Sequence, residues 1–379
     1  MTMPQRTRWE QLSRRDAMRL LGAGTAGLVA ACGGETASDS VAPVSAGETA
    51  VPPAAAAAHQ PIIRTILRDV APAELGDGAI LMHEHLSATS PYPFEPPPQR
   101  EVPPHVTGDV ALITQEVRIA GTEGVACIVD GGHADMGRTL DALRAIAEDS
   151  GVHIVASGGF YTQRAYPPDI AAKSVEQITD ELIAETEAER FGAYGEIGTS
   201  GEMTPDERKV LTAVARAHLR TGVPIFTHNA YVGKLSRVPV PTEAALWQLD
   251  LFEEEGVDLG HLVIGHLCCL DQPAAEVAVE VARRGAFVGF DRVNWDAMLD
   301  DEKRVAMVTA LVDAGHADKL VLASDFYRRT ELKAEGGPGY AKTVTQFAPM
   351  LREAGLDDAT VQAFIADNPR RWLTFTPTA

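Results

Sequence analysis

The sequence predicts an α/β chain folded as a closed (β/α)8 barrel, a TIM barrel, with a metal site at the C-terminal ends of its strands. Three observations carry that expectation. From Pro61 onward, short apolar runs alternate with longer amphipathic stretches. The runs end near His85, Asp130, Ser157, Ile197, His228, His266, Phe290 and Asp325, spaced 24 to 45 residues apart, room for one strand, one helix and two loops. Several of those ends carry a histidine or a carboxylate, and barrels of this kind keep their active sites at the C-terminal strand ends.

Two segments precede the barrel. Residues 1–32 read as an export signal: Arg6, Arg8, Arg14, Arg15 and Arg19 make a basic start, and Leu20 to Ala31 is a weakly apolar run too short to span a bilayer. Ser13-Arg14-Arg15-Asp16 resembles a twin-arginine signal, and Val29-Ala30-Ala31-Cys32 resembles a bacterial lipobox with Cys32 lipidated after cleavage. Cleavage among Ala54 to Ala58 is the alternative. The expected location is the cell envelope or periplasm, with a lipid anchor at Cys32 as the link to the membrane. Residues 33–60 are Ala, Pro, Gly, Ser and Thr with few bulky apolar groups, the composition of a disordered tether. Residues 61–379 remain for the barrel.

Within it, Val125 to Val129 and Leu320 to Leu322 are continuously apolar, as strands buried on both faces should be. Thr204-Pro205-Asp206-Glu207 supplies a helix cap, a first-turn proline and early acids, followed by Val210, Leu211, Val214 and Ala217 at helical spacing. Glu176 to Phe191 and Glu302 to Ala314 read as helices in the same way. A doubly wound open sheet is the rival architecture. It is weakened because no Gly-x-Gly-x-x-Gly follows the first strand.

Bulk properties narrow the function classes. With 379 residues, 45% of them hydrophobic, the chain can bury a substantial core. A net charge of -20 argues against nucleic acid and against broad contact with anionic lipid. Beyond Cys32, only Cys127, Cys268 and Cys269 remain, too few and too oddly spaced for a disulfide framework, so they read as buried free thiols.

The candidate site follows from the strand ends. His83 and His85 stand two apart on the first run, Glu196 ends the fourth, and His228, His266 and Asp325 end the fifth, sixth and eighth. Four imidazoles and two carboxylates on one rim exceed the needs of one catalytic zinc, which takes three protein ligands. They suit two ions about 3.5–4 Å apart, bridged by a carboxylate, with a bridging hydroxide as nucleophile. Glu196, Asp325 and hydroxide against two divalent ions leave one net positive charge to polarise a carbonyl or phosphoryl oxygen. Cys268 and Cys269 are set aside as zinc ligands because six ligands are already present. His153, His218 and His261 read as structural or exposed.

These residues resemble the phosphotriesterase family of the amidohydrolase superfamily, and most of all its phosphotriesterase homology proteins. The matching pieces are His83-Glu84-His85-Leu86, Gly159-Phe160-Tyr161, Gly195-Glu196-Ile197-Gly198-Thr199-Ser200, Thr227-His228 and Ile264-Gly265-His266. Arg328 to Lys333, Gly336 to Tyr340 and Asn368-Pro369 extend the match. The resemblance implies that His83, His85 and Asp325 hold the more buried ion, that His228 and His266 hold the more exposed one, and that Glu196 bridges them. It implies zinc, with manganese, iron or cobalt able to use the same ligands. Homodimers are common among proteins of this appearance.

Two departures stand out. Well-known family members bridge their metals with a carbamylated lysine, where Glu196 stands here. Some place an acid three residues after the strand-six histidine as a proton relay, where Cys269 stands here.

The expected reaction is metal-assisted hydrolysis of a carboxyl ester, lactone or phosphoester, with Asp325 as general base. Tyr161, His133 and Arg328 are the candidate substrate contacts, and the Pro-rich segment from Ser87 to Val106 is the candidate substrate-shaping loop. Two rivals remain. One is a non-catalytic or weakly active metal-binding envelope lipoprotein. The other is a mononuclear deaminase, a form that typically dispenses with the carboxylate at Glu196.

Overall fold

The computed structural model describes residues 60–88, 109–233, 239–294 and 298–378. The export signal, the tether and most of the Ser87–Val106 segment lie outside the described residues. Among the described residues, no helix is long and apolar enough to cross a membrane.

A small antiparallel hairpin, β1 (Ile63–Arg64) and β2 (Asp69–Val70), leads into eight parallel strands that pair in chain order. These are β3 (Ala79–Glu84), β4 (Val125–Asp130), β5 (His153–Gly158), β6 (Ala193–Gly198), β7 (Ile225–His228), β8 (Leu262–Ile264), β9 (Phe287–Phe290) and β10 (Leu320–Leu322). Helices α1 (Val110–Thr122), α2 (Leu140–Ser150), α3 (Val175–Glu189), α4 (Pro205–Thr221), α5 (Ala244–Glu254), α6 (Glu276–Arg284) and α7 (Asp301–Asp313) connect them. Short helices α8 (Ala348–Glu353), α9 (Asp358–Gln362) and α10 (Asn368–Leu373) follow β10. The fold is the (β/α)8 barrel that the strand spacing predicts.

Closure rests on hydrogen bonds just beyond β10. Asp325 N donates to His83 O and His85 N donates to Phe326 O, both at 3.1 Å. Glu84 fastens the same seam: Oε1 accepts from Ser324 N at 2.8 Å and Oε2 from Phe326 N at 2.9 Å. Burial raises this carboxyl well above its ordinary range, against the pull of those two N–H donors. The middle residue of the His-Glu-His string thus sews the barrel shut on either side of Asp325.

Inside the barrel, Ile80, Met82, Val129, Val155, Phe226, Val263 and Val321 pack around Trp372, which plugs the lower end. Trp372 Nε1 donates to Ile225 O at 3.1 Å, so its one polar atom is satisfied. The two ends of the domain meet below, where Ile62 bridges Phe375. The capped helix start at Thr204 forms as its sequence predicts. Thr204 accepts from Glu207 N, and Glu207 returns a bond from Thr204 N. Glu207 also accepts from Gln163 N and Ser200 Oγ, tying two rim loops to α4.

The predicted strand ends are corrected in two places. β8 stops at Ile264 and β10 at Leu322, short of His266 and Asp325. Both of those residues take left-handed backbone conformations, with φ of 60° and 52°. A side-chain-bearing residue in that region cannot continue a ladder, and such strain concentrates where a functional group must be aimed.

Candidate metal centre

Strand alternation alone would misplace the first two histidines. Leu81 packs into the layer between strands and helices with Ile113 and Val117, whereas Met82 faces the barrel interior. Simple alternation from Leu81 would send His83 and His85 outward. The register of β3 shifts between Leu81 and Glu84, and His83 instead meets the interior ring of Phe226, centroids 5.2 Å apart. Another register shift falls between Tyr194 and Ile197 of β6, around a cis peptide at Gly195–Glu196. Bulges of this kind re-aim side chains beside active sites. Two glycines make the space: a Cβ on Gly131 would lie 2.8 Å from His83 Nε2, and one on Gly195 would strike the Phe226 ring at 2.2 Å.

The six predicted groups converge in a fully enclosed cluster. Glu196 Oε1 lies 3.2 Å from His85 Nε2, and its Oε2 lies 3.4 Å from His83 Nε2, 2.8 Å from His228 Nδ1 and 3.5 Å from His266 Nε2. Asp325 Oδ1 stands 3.1 Å from His85 Nε2 and 3.8 Å from His83 Nε2. His228 Nδ1 and His266 Nε2 face each other at 2.8 Å. Two sets of these residues could each hold a metal ion: His83, His85, Glu196 and Asp325, and Glu196, His228 and His266. Glu196 belongs to both.

The donors fit such ions chemically. His83 Nε2 is buried, aimed at carboxylates and without a hydrogen-bond partner; burial opposes its charge, but Glu196 and Asp291 raise its pKa well above normal, so the position favours a cation, proton or metal. Burial would raise Glu196, but His83 and His228 hold it well below the usual carboxylate range. Burial opposes the charged form of His85 as well, yet its hydrogen bonds to Asp325 and Glu196 raise it to about 9. His228 goes the other way, to about 4, because burial and the neighbouring His266 outweigh Glu196. The cluster therefore holds negative charge strongly and distributes positive charge unevenly, electrostatics that suit a cation.

Behind the cluster stand groups that the sequence reading did not single out. Asp291 is fully buried; Oδ2 accepts from His83 Nδ1 at 2.9 Å, and Oδ1 from His266 Nδ1 at 3.2 Å and His266 N at 2.6 Å. Its pKa is strongly lowered, burial being overcome by His266 and His83. Arg292 Nε donates to Asp325 Oδ2 at 2.6 Å, which turns Oδ1 toward the histidines. Burial opposes the Arg292 charge, but Asp325 raises its pKa well above normal; burial likewise opposes the Asp325 charge, but Arg292 and His85 hold its pKa strongly lowered. Both residues directly follow β9. The rule that found the other candidates, reading the position just past each apolar run, would have found Asp291 and Arg292 had it been applied after Phe290.

The substrate candidates fare differently. Tyr161 reaches the cluster: its hydroxyl shares a 3.3 Å hydrogen bond with His228 Nε2. His133 does not face the mouth. It is fully buried, its Nε2 donates to Gly195 O at 2.7 Å, and Nδ1 points toward Asp135 at 3.6 Å. It supports the backbone that carries Glu196. Arg328 is half-buried, its guanidinium stacked 4.2 Å from the Tyr327 ring centroid and Nη1 3.7 Å from Glu331. His153 begins β5 at the opposite end of the barrel, and His218 is a buried structural group bonded to Val223 O. Cys127, Cys268 and Cys269 are buried and free. Cys268 Sγ accepts from Arg292 N at 3.3 Å, and neither thiol joins the metal sets.

Comparison with known proteins agrees with this picture. The phosphotriesterase homology protein of Escherichia coli (strain K12) is 34% identical over 270 residues, 69% of this chain and 88% of that protein. Its crystal structure, described as complexed with phosphate in the active site, matches with a TM-score of 0.69 over 78% of this chain and 99% of that one. The N-acetyltaurine hydrolase of Homo sapiens is 29% identical over 355 residues, 83% of this chain and 98% of the relative. A lactonase from Listeria monocytogenes is 26% identical, with a TM-score of 0.70 over 83% of this chain and 99% of its own. The sequence pattern of the Phosphotriesterase family spans residues 61–373, from the hairpin that opens the barrel to the last helix that plugs it, and the chain belongs to that family of hydrolases.

Proposed function

We propose that this chain is a binuclear metal-dependent hydrolase acting on a carboxyl ester, lactone or phosphoester. The observation that carries the reading is the membership of Glu196 in both metal-ligating sets. His83, His85 and Asp325 would hold one ion, His228 and His266 the other, and Glu196 both. Zinc suits the mixed nitrogen and oxygen ligands, and manganese, iron or cobalt would accept them too. Bound divalent ions would supply the Lewis acidity that ionises water near neutral pH and polarises the substrate oxygen.

The protein's own groups do the rest. Asp325 is the acid–base group of this reading. Arg292, 2.6 Å from Oδ2, pins the carboxylate plane and makes it a weak base, so proton acceptance is confined to the face turned toward His85. Tyr161 holds His228 through Nε2 and offers its hydroxyl to substrate at the same place. Arg328 at the rim would take an anionic substituent of the substrate. The names of the relatives extend the candidate bonds to lactones and to an N-acyl amide. Export to the cell envelope, with a lipid anchor at Cys32, belongs to the same proposal. Detection of a lipid-modified Cys32 by mass spectrometry would support it, and an intact Met1 terminus would refute it.

Elemental analysis of the full-length chain beside Glu196→Ala tests the central claim. Near two ions per chain, falling clearly in the variant with loss of turnover on a lactone, ester, phosphoester and N-acyl amide panel, is the expected result. One ion, unchanged in the variant, would overturn the binuclear reading and favour a mononuclear amidohydrolase.

A further inference from the structure

We infer that Asp291 couples the two metal positions, one carboxylate fixing a histidine of each. The inference rests on the two-ion reading above and adds a group that lies behind both sets. His83 belongs to the first set and His266 to the second, and Asp291 receives the Nδ1–H of both, at 2.9 and 3.2 Å. An ionised carboxylate only accepts hydrogen bonds. Both imidazoles then carry a proton on Nδ1, which leaves Nε2, the atom turned toward Glu196 and Asp325, as the nitrogen available to bind a cation. The two rings lie nearly parallel, 12° apart with centroids 5.5 Å apart, as two groups hung from one carboxylate would.

The same carboxylate also accepts the main-chain N–H of His266 at 2.6 Å, at the residue whose φ of 60° takes it out of the strand. Asp291 therefore sets the backbone turn, the tautomer and the ring plane of His266 at once. The other ligands are held separately, His228 by Tyr161 and Asp325 by Arg292. Because Asp291 holds both rings, an ion bound at His83 would stiffen His266 through it, and a second ion would meet a ligand already held in place. Ordering already completed by the first ion need not be repeated for the second, and that is positive cooperativity. Groups behind metal-ligating histidines commonly control affinity by 10- to 100-fold.

His83, His266 and Asp291 could also be read as a third ligand set. The main-chain N–H of His266 pointing at Asp291 argues against that, since its positive end would face any cation placed there.

The test is a Zn2+ titration of the chelator-stripped full-length chain against a competing chromophoric chelator, for wild type, Asp291→Asn and Asp291→Glu. Far-UV circular dichroism of each metal-free protein checks folding. The wild type should bind two ions in one phase, the second at least as tightly as the first. An amide accepts on one atom and donates on the other, so Asp291→Asn should force one imidazole into the wrong tautomer. Its binding should split into two phases, one weakened about 10- to 100-fold. Asp291→Glu keeps two acceptors and should retain the single phase.

Two independent phases in the wild type, or equal weakening of both positions in Asp291→Asn, would overturn the coupling while leaving the two-ion reading intact. A single ion in the wild type would overturn that reading itself. Three ions, one of them lost in Asp291→Asn, would make Asp291 a ligand and end the inference. Should Asp291→Asn not fold, the wild-type isotherm and Asp291→Glu decide.

Discussion

The two ends of this barrel are built from the same eight strands by opposite rules. At the lower end Ile80, Val155, Val263 and Val321 pack inward, and Trp372 fills the remaining space with its indole nitrogen satisfied. At the upper end two strands shift register, two residues adopt left-handed backbone, and buried histidines and carboxylates crowd together. A pack of hydrocarbon lowers free energy by removing apolar surface from water, whereas a cluster of buried charge raises it unless paired. The lower end supplies the stability that lets the upper end be strained and charged.

That contrast can be broken most sharply at the plug. Trp372→Ala should cost roughly 3–5 kcal/mol, the range for emptying a large aromatic from a core, read as a lowered urea midpoint. The kcat of the folded fraction should stay within twofold, because the plug lies at the end away from the site. A large fall in kcat with unchanged stability would mean the two ends are not separable.

The complementary change at the rim is Arg292→Met. It removes the guanidinium from Asp325 and should lower kcat or metal retention about 10- to 100-fold. Arg292→Lys, which keeps the charge but loses the planar Nε donor, should recover only part of it. Steady-state kinetics with metal analysis would check both, and an unchanged Arg292→Met enzyme would show that Asp325 needs no such support.

The pH dependence of metal binding sharpens the comparison further. His85 in the metal-free protein is raised to about 9, so at pH 7 its ring is mostly protonated and cannot ligate. Binding must release that proton. His83 and His266 are raised as well, so affinity should rise with pH by at least about tenfold per unit between pH 7 and pH 9. Calorimetry in buffers of different ionisation enthalpy would reveal the released proton; a buffer-independent enthalpy at pH 7 would contradict it. The smallest effect is expected at His153, half-buried at the lower end. His153→Gln should change stability by less than about 0.5 kcal/mol and leave kcat alone, in a parallel urea and activity assay.

Much of this was legible from residues in a row. The capping pattern at Thr204 predicted α4 because a cap, a proline and early acids act within one helical turn. The apolar runs predicted eight strands, and their ends supplied all six residues that converge on the cluster. His133 follows β4 at a rim position by sequence, and its bond to Gly195 O is a partner that no local pattern shows. Asp291 and Arg292 escaped because they follow a run whose own end, Phe290, carries no chemistry.

The barrel, its strand count and the set of polar groups at its upper end are written in runs of neighbouring residues, because hydrophobic period and strand spacing are local properties of the chain. Which way those groups face and what stands behind them depends on contacts between distant segments. Two register shifts turned His83, His85 and Glu196 inward, and left-handed turns aimed His266 and Asp325. The partners that fix these residues, such as Asp291 for His83 across 208 positions of sequence, are chosen by barrel closure, which no local pattern encodes.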